Sequence, residues 1–545
     1  MHGLMMDTPL LISAIAEHAL KFHPNASIVS VTADNPRHEY TYKACFLRAK
    51  QVANALTALG LSQGDRVATL AWNDYRHMEA YYGISGAGFV CHTINPRLFP
   101  EQLIYIINHA EDKVLLVDPM FLPLIDKIRD KTPTLEHIVV MGSEVPEGAG
   151  DGIVDYESFI AAHSQEYSWP ELDERTASAL CYTSGTTGNP KGVLYSHRST
   201  VLHAMAGLSP DVLNISRADC ILPVVPLFHV NAWGIPYICP MVGAKIVMPG
   251  PKMGDGETLY HLLTNEDVTL ALGVPTVWLA LLDYTQKNGL RLDKLKRTMV
   301  GGAAVPASMI EAFRDAHDVT VHQGWGMTEM SPLGTVNVLL PSQKQLPADE
   351  QVRIQTKAGR GIFGVELKIV DDDGQEQPWD GEAFGTLKVR GPWICSDYYK
   401  LEGAANTHDA DGWFDTGDVA TIDADGFMNI TDRTKDVIKS GGEWISSIDL
   451  ENTAVGHPSV AEAAVIGIAH PKWTERPLLI VVLRESEQLT RDEMLAYLDG
   501  KIAKWWTPDD VVFVDELPHT ATGKIKKTAL REQFKDYVLP EVASA

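Results

Sequence analysis

The chain has 545 residues, 46 Lys/Arg against 71 Asp/Glu for a formal charge of −25, and 45% hydrophobic residues. Such a composition is globular, neither disordered nor collagenous, and about one domain per 150 residues gives roughly three or four folding units. The acidity excludes nonspecific binding to nucleic acid or to an anionic membrane, both of which need positive surface.

From the N-terminus, Thr8-Pro9 reads as the cap and first turn of a helix with Leu11, Ile15, Ala19 and Phe22 on one face. No basic start and apolar core of a signal peptide is present. The six cysteines are scattered without a C-x-x-C pair, which predicts buried thiols in a reducing, cytoplasmic compartment. Val67–Trp72, Val114–Val117, His137–Met141, Ile221–Val225, Lys245–Met248 and Thr298–Val300 read as strands. Helices are predicted to start near Tyr75, Glu257 and Pro306, and the alternation implies parallel sheets with helical crossovers. Between Asp219 and Lys245 there is no charged side chain, but Pro223, Pro226, Pro236 and Pro240 would break a membrane helix. A buried region is predicted there, and no stable membrane insertion.

After about residue 360 the texture changes. Val365–Val370, Thr386–Val389 and Phe427–Ile430 are strands separated by Asp373-Gly374, Asp411-Gly412 and Asp425-Gly426, the turn chemistry of hairpins in a small β subdomain. Two decoys fall here. The acidic run Asp371–Asp373 lacks the spacing of a calcium loop. Gly359-Arg360-Gly361-Ile362-Phe363-Gly364 satisfies G-x-G-x-x-G but leads into a strand rather than a helix, so the dinucleotide reading fails. Beyond a polar junction at Asp432–Asp436, strands Ala463–Ile468, Leu478–Leu483 and Val511–Val514 and a helix from Arg491 to Lys504 predict a compact α+β domain.

The strongest local signal is Thr183-Ser184-Gly185-Thr186-Thr187-Gly188-Asn189-Pro190-Lys191-Gly192, after the apolar run Ala179–Tyr182. Three glycines, four hydroxyls and a lysine within ten residues suit phosphate, which is held by closely approaching backbone N–H groups, hydroxyls and a cation. It is not a Walker A loop, since Lys191 does not follow Gly188 directly and no Ser or Thr follows the lysine. A flexible linker would not need Pro-Lys-Gly between a strand and the amphipathic segment His197–Leu202. Further along come Val225–Trp233, Gly301-Gly302-Ala303-Ala304, Gly324-Trp325-Gly326-Met327-Thr328-Glu329, Asp415-Thr416-Gly417-Asp418, Asp432–Lys435 and Pro518–Lys524.

In this order these motifs resemble those of the adenylate-forming superfamily, which includes acyl-CoA synthetases, firefly luciferase-like enzymes and peptide-synthetase adenylation domains. The likeness covers nearly the whole chain. It implies a large N-terminal domain, 1–432, of two α/β subdomains plus a small β subdomain, a hinge at 433–435, and a small mobile α+β C-terminal domain, 436–545. It implies ATP and coenzyme A as co-substrates, Mg²⁺, a carboxylic acid substrate, and a homodimer at the family level.

By the same resemblance the loop Thr183–Gly188 and Lys191 hold phosphate, Thr328 contacts the α-phosphate, and Thr187 and Glu329 hold Mg²⁺. Gly302, Ala303 and Ala304 and the run 322–325 (His322, Gln323, Gly324, Trp325) border the adenine slot, Gly326 and Met327 continue the nucleotide-binding segment, and Asp418 and Arg433 reach the ribose. Lys524 bridges the substrate carboxylate and ATP during adenylation. Lys435 is the hinge position, and Lys439, Gly441, Gly442, Glu443 and Trp444 belong to the loop that swings in for thioester formation. His229, Trp233, Gly301, Gly302, Trp325 and Gly326 border the acyl pocket, with Trp233 at the gate position of fatty-acyl-CoA synthetases. Peptide-synthetase domains carry an aspartate on the Val225–Pro240 stretch to pair a substrate ammonium, and none occurs here. Acetyl-CoA synthetases carry a tryptophan where this chain has Gly326, which implies room beyond acetate. The expectation is an AMP-forming acid–CoA ligase of the fatty-acyl-CoA synthetase and 3-(methylthio)propionyl-CoA ligase group, acting on a small-to-medium aliphatic acid. A longer-chain fatty-acyl-CoA synthetase and a luciferase-like adenylating oxygenase are the alternatives.

Overall fold

A computed structural model of the chain describes residues 1, 3–183, 189–401, 407–434, 436–440, 443–519 and 525–540, with Glu443 and Trp444 described by backbone alone. Two large, mostly parallel sheets form the body of the molecule. The first has seven strands in the order Ile153–Asp155, His137–Val140, Asp112–Val117, Arg66–Leu70, Val90–Thr93, Ala177–Tyr182, Gly192–Ser196. Its last pair is antiparallel. The second has nine, in the order Arg360–Gly361, Leu333–Val336, Thr320–Gly326, Arg297–Val300, Leu270–Gly273, Cys220–Pro223, Lys245–Met248, Ser27–Ser30, His38–Thr41. Its middle is parallel and its two edges antiparallel. The central strands read as short continuous apolar runs because helices cover both faces.

Between the sheets lies the helix Tyr75–Gly86, which packs on strands of both and is buried along its entire length. Asp74 caps it by accepting the His77 N–H. Its two glycines permit close packing, since a Cβ on Gly83 would lie 2.6 Å from Val52 Cβ and one on Gly86 would lie 2.6 Å from the Trp169 ring. Its polar groups are satisfied: Glu79 takes Arg48 at 2.7 Å and the Tyr156 hydroxyl at 2.9 Å. The Tyr81 and Tyr82 hydroxyls donate to the Leu227 and Pro236 carbonyls and so fix the uncharged segment 220–244 from beneath.

A four-stranded antiparallel meander follows, Glu366–Val370, Gly385–Arg390, Phe414–Ile422 and Met428–Arg433. Last comes an α+β unit in which Thr474–Leu483 pairs with Val460–His470, Asp510–Phe513 and the short strand Ile438–Ser440. Among the described residues no helix is long and apolar enough to cross a membrane. Five cysteines are buried and Cys395 is half-buried, all as free thiols.

The structure moves several predicted boundaries. The first helix spans Ile12–Phe22, not from Thr8-Pro9, and buries Ile12, Ile15, Ala16 and Ala19, with Phe22 exposed. The helix from Arg491 stops at Leu498, because Asp499 is extended and Gly500 is left-handed at φ +74°. The loop after Tyr182 joins two antiparallel strands, so a second strand stands between it and the helix His197–Gly207. Neither decoy is a binding loop. Gly359 (φ +96°) bridges Met428 and enters the edge strand Arg360–Gly361, with a turn only at 363–364, and Asp371 Oδ1 accepts the Asp373 and Gln375 N–H groups in a turn. The junction at Asp432 is buried rather than solvated.

Candidate active site

In the second sheet the strand Cys220–Pro223 has Lys245–Met248 on one side and Leu270–Gly273 on the other, so the chain order reverses there. A crevice opens beyond the carboxyl ends of strands at such a switch point. Four consecutive strand ends feed it: residues of the segment Val224–Trp233, together with Val274–Val277, Gly301–Ala304 and Gly324–Thr328, line one cavity of about 1650 Å³. The meander contributes Thr416–Asp418 and Arg433, and the C-terminal unit contributes Asp449, Lys501, Trp506 and 525–527.

The apolar end is built by a strained segment. Val230, Asn231, Ala232, Trp233 and Gly234 all have positive φ, between 42° and 84°. Each non-glycine residue there costs about 1–2 kcal/mol relative to the right-handed form, and surrounding contacts hold it. Buried Asn73 donates to the Pro223 and Val225 carbonyls and accepts the Leu227 N–H at 2.6 Å, and the Tyr81 hydroxyl reaches Asn231 Oδ1 at 3.1 Å. The turn lays the Trp233 ring on Gly301, where a Cβ would sit 2.9 Å from it. His229, Val224, Val225 and Met299 share this wall. At Gly326 a Cβ would lie 1.9 Å from the Pro332 carbonyl oxygen, so the backbone itself demands glycine there.

The polar end joins residues far apart in sequence. Asp418 lies opposite Arg433 on adjacent strands; its Oδ1 meets Arg433 Nε at 2.9 Å and its Oδ2 accepts the Trp325 indole N–H at 3.1 Å. Arg433 also donates to the Thr416 carbonyl. Thr328 and Glu329 are buried beside them. The Thr328 carbonyl accepts the Tyr195 hydroxyl at 2.6 Å, and Glu329 Oε1 accepts the Tyr398 hydroxyl at 2.6 Å. Lys191 Nζ stands 4.7 Å over the Tyr398 ring, and its backbone pairs with that of Thr183. Burial pushes the Tyr398 hydroxyl well above its usual pKa, and the neighbouring Glu329 charge adds to it, so it stays a donor.

Gly301, Gly302, Ala303, Ala304, Gly324, Met327, Thr328, Glu329, Lys191, His229, Trp233, Asp418 and Arg433 therefore come together on one cavity. His322 does not line it. The adjacent Gln323 does, because side chains alternate along a strand, and His322 instead meets the Asn337 carbonyl at 3.0 Å with its pKa lowered by burial. Lys439, opposite Trp444 on a hairpin, lies off the cavity with its N–H on Glu475. Ser184, Gly185, Thr186, Thr187, Gly188, Lys435, Gly441, Gly442 and Lys524, and the side chains of Glu443 and Trp444, lie outside the described residues. Ile525, which follows Lys524, lines the cavity. Sequence reasoning missed Asn73, Tyr195 and Tyr398. No local pattern marks them, as each acts on a backbone or side chain more than 60 residues away.

The AMP-binding enzyme family matches residues 16–399, and the AMP-binding enzyme C-terminal domain matches 449–524. Over 538 residues the chain is 54% identical to a 3-methylmercaptopropionyl-CoA ligase of Ruegeria lacuscaerulensis, covering 98% of this chain and 99% of that protein. It is 50% identical over 546 residues to a medium-chain-fatty-acid–CoA ligase of Ectopseudomonas oleovorans, with both chains fully covered. The fold resembles the crystal structure of the anthranilate CoA ligase AuaEII bound to anthranoyl-AMP, with a TM-score of 0.86, 27% identity and 99% of each chain covered.

Proposed function

This chain belongs to the AMP-binding enzyme family and is an AMP-forming acid–CoA ligase, and on that premise we propose that it activates a small-to-medium aliphatic acid, 3-(methylthio)propionate or a medium-chain fatty acid. What carries this reading is the continuity of the uncharged wall of Val224, Val225, Trp233 and Met299 with the polar wall of Asp418, Trp325 and Arg433 in one cavity. An acyl chain and a nucleotide then share a site with the carboxylate between them. No acid on the wall segment 220–244 is present to pair a substrate ammonium, and a thioether chain suits an apolar slot as well as an alkyl chain does.

A carboxylate is a poor acyl donor because oxide leaves badly. Attack of its oxygen on the ATP α-phosphorus expels pyrophosphate and gives an acyl-adenylate, a step that needs alignment and charge neutralisation more than acid–base chemistry. Thr183, the loop 184–188 and Lys191 would hold the phosphates, and Lys524 would bridge carboxylate and α-phosphate. Asp418 and Arg433 would take the ribose hydroxyls, while Gly302, Ala303 and Ala304 with Trp325 would flank the adenine. Glu329 offers a buried, hard carboxylate oxygen on the cavity wall that Lys191 also lines, a donor that fits Mg²⁺, and by the family resemblance Thr187 would be the other ligand. Bound there, the ion would neutralise phosphate charge. The CoA thiolate then attacks the acyl carbon and AMP leaves, with His229 and Trp233 where the acyl and CoA paths meet. We assign residues 1–432 to the body, 433–435 to a hinge and 436–545 to a rotating unit that withdraws Lys524 and brings in Lys439 and the 441–444 loop.

Two measurements test this. Lys524→Ala should lower pyrophosphate release by orders of magnitude with nucleotide binding retained; undiminished adenylation would remove its role. A screen of C2–C12 and methylthio acids, reading AMP with CoA present, should peak at 3-(methylthio)propionate or C4–C10. A maximum at acetate or at C12 and beyond would overturn the substrate class.

A further inference from the structure

Lys191 and Glu329 carry opposite charges on the same cavity wall, yet no ion pair joins them, and Tyr398 contacts both, Lys191 at its ring face and Glu329 at its hydroxyl. We infer that Tyr398 is a positioning residue that keeps this cation and this anion apart, its hydroxyl holding Glu329 and its ring seating Lys191. The inference rests on the roles proposed above for those two residues.

Three observations carry it. The phenol-to-carboxylate hydrogen bond is short, at 2.6 Å, and charge-assisted. The ammonium sits 4.7 Å over the ring face, within cation–π range. Both partners are shielded, Tyr398 being 8% exposed and Glu329 7%. The segment that delivers the ring is pinned to both sides of the site. Cys395 N–H donates to the Glu329 carbonyl at 2.8 Å, the Trp393 indole to the Leu333 carbonyl at 3.1 Å, and Tyr399 N–H to the Gly192 carbonyl at 2.8 Å. Tyr398 is therefore held where it can act as a spacer.

The physical need is plain. In a partly desolvated site a free lysine and glutamate that flank the same side chain would be drawn into a direct pair. Each would then neutralise the other and be lost to its own task, Lys191 to the phosphates and Glu329 to a divalent cation. An aromatic ring with one polar edge satisfies both groups without neutralising either.

The side chain's two halves can be separated. Tyr398→Phe keeps the ring and loses the hydroxyl; Tyr398→Leu loses both. ATP binding to the full-length enzyme is measured by calorimetry with Mg²⁺ and, separately, with EDTA, and Mn²⁺ binding in the presence of ATP by electron paramagnetic resonance. Loss of a partner that orients a ligating group weakens metal binding by about 10–100-fold. Tyr398→Phe should show that loss for Mn²⁺ while metal-free ATP binding shifts by less than about twofold. Tyr398→Leu should weaken both, and adding Glu329→Gln should restore its metal-free ATP binding by freeing Lys191. Wild-type behaviour of Tyr398→Phe in the Mn²⁺ arm, or no rescue of Tyr398→Leu by Glu329→Gln, overturns the inference. Glu329→Gln alone separates the underlying reading: if it leaves Mn²⁺ binding intact, the metal assignment falls and takes the hydroxyl's role with it. The ring's role is then still judged by the EDTA arm.

Discussion

His203 shows how burial turns a titratable side chain into a structural acceptor. It is 2% exposed on the helix His197–Gly207, and its Nε2 accepts the Leu333 N–H at 3.3 Å. Burial lowers its pKa from 6.5 to about 4, so the folded state holds it neutral. The unfolded chain binds this proton more readily. The stabilisation is therefore complete above pH 6.5 and is lost as pH falls towards 4, to an extent on the order of 3 kcal/mol. Glutamine keeps an acceptor but does not titrate, so His203→Gln should flatten the pH dependence of the melting temperature between about 6.5 and 4. Parallel melting curves against pH for the two proteins would refute this. Residues of this kind are invisible in sequence. Gly185, Lys191, Glu329 and Asp418 sit in recognisable motifs, whereas His203, Asn73 and Tyr398 acquire partners only when distant strands meet.

Among the elements, the helix Ser447–Val455 shows how the C-terminal unit is joined to the body. Ser446 caps it by accepting the Asp449 N–H and donates its hydroxyl to the Thr431 carbonyl at 2.7 Å. Asp432, at the end of the meander, accepts the Ser447 N–H at 3.0 Å. Lys527 completes the junction with Glu451 at 2.8 Å; burial opposes its charge, but Glu451 and Asp432 outweigh that and hold its pKa above the ordinary value. Ser446→Ala removes a cap and a bond across the junction together, a loss of about 1–2 kcal/mol. Limited proteolysis should cut between residues 431 and 446 several-fold faster in the variant, and equal cleavage would contradict the role of Ser446. The parallel strands that were read from sequence fall within about two residues of the observed bounds, whereas the strand read as Phe427–Ile430 runs from Met428 to Arg433 and Val90–Thr93, Leu270–Gly273 and Thr320–Gly326 were not read. The five-residue left-handed turn at Val230–Gly234 was not read either, because four of its residues are not glycine and disfavour that conformation. Contacts from elsewhere in the fold, Asn73 and Tyr81 among them, hold it together with the Ala232 N–H bonds to the Pro226 and His229 carbonyls.

For the whole molecule, the prediction concerns rotation. If the small unit turns about Lys435, fixing that φ by Lys435→Pro should leave adenylation within about twofold and slow thioester formation by tenfold or more. Single-turnover measurement of pyrophosphate and of acyl-CoA separates the two half-reactions, and equal loss in both would argue against a hinge there. The net charge of −25 is a sum over the whole chain, including buried acids such as Glu79, Glu329 and Asp418, and does not describe any one site. Residues 517–535 hold five Lys/Arg against one acid, but Lys527, Arg531 and Lys535 pair with Glu451, Asp436 and Glu532, so the local excess of positive charge in the sequence is largely spent in ion pairs.

From the sequence alone came the reaction class, through the resemblance of its motifs to the adenylate-forming superfamily, and the alternation of strands and helices that becomes two α/β bodies, a β meander and a terminal α+β unit. The elements are written in short-range patterns of glycine, aspartate and apolar residues. Tertiary structure decided that Trp325 meets Asp418 across 93 residues, that Tyr195 holds Thr328 across 133, and that Gln323 rather than His322 faces the cavity. It also decided that Trp233 closes against Gly301 and that Tyr398 contacts both Lys191 and Glu329. The reason is that these contacts depend on how sheets and loops pack, and packing is settled by the whole chain at once rather than by any stretch of it.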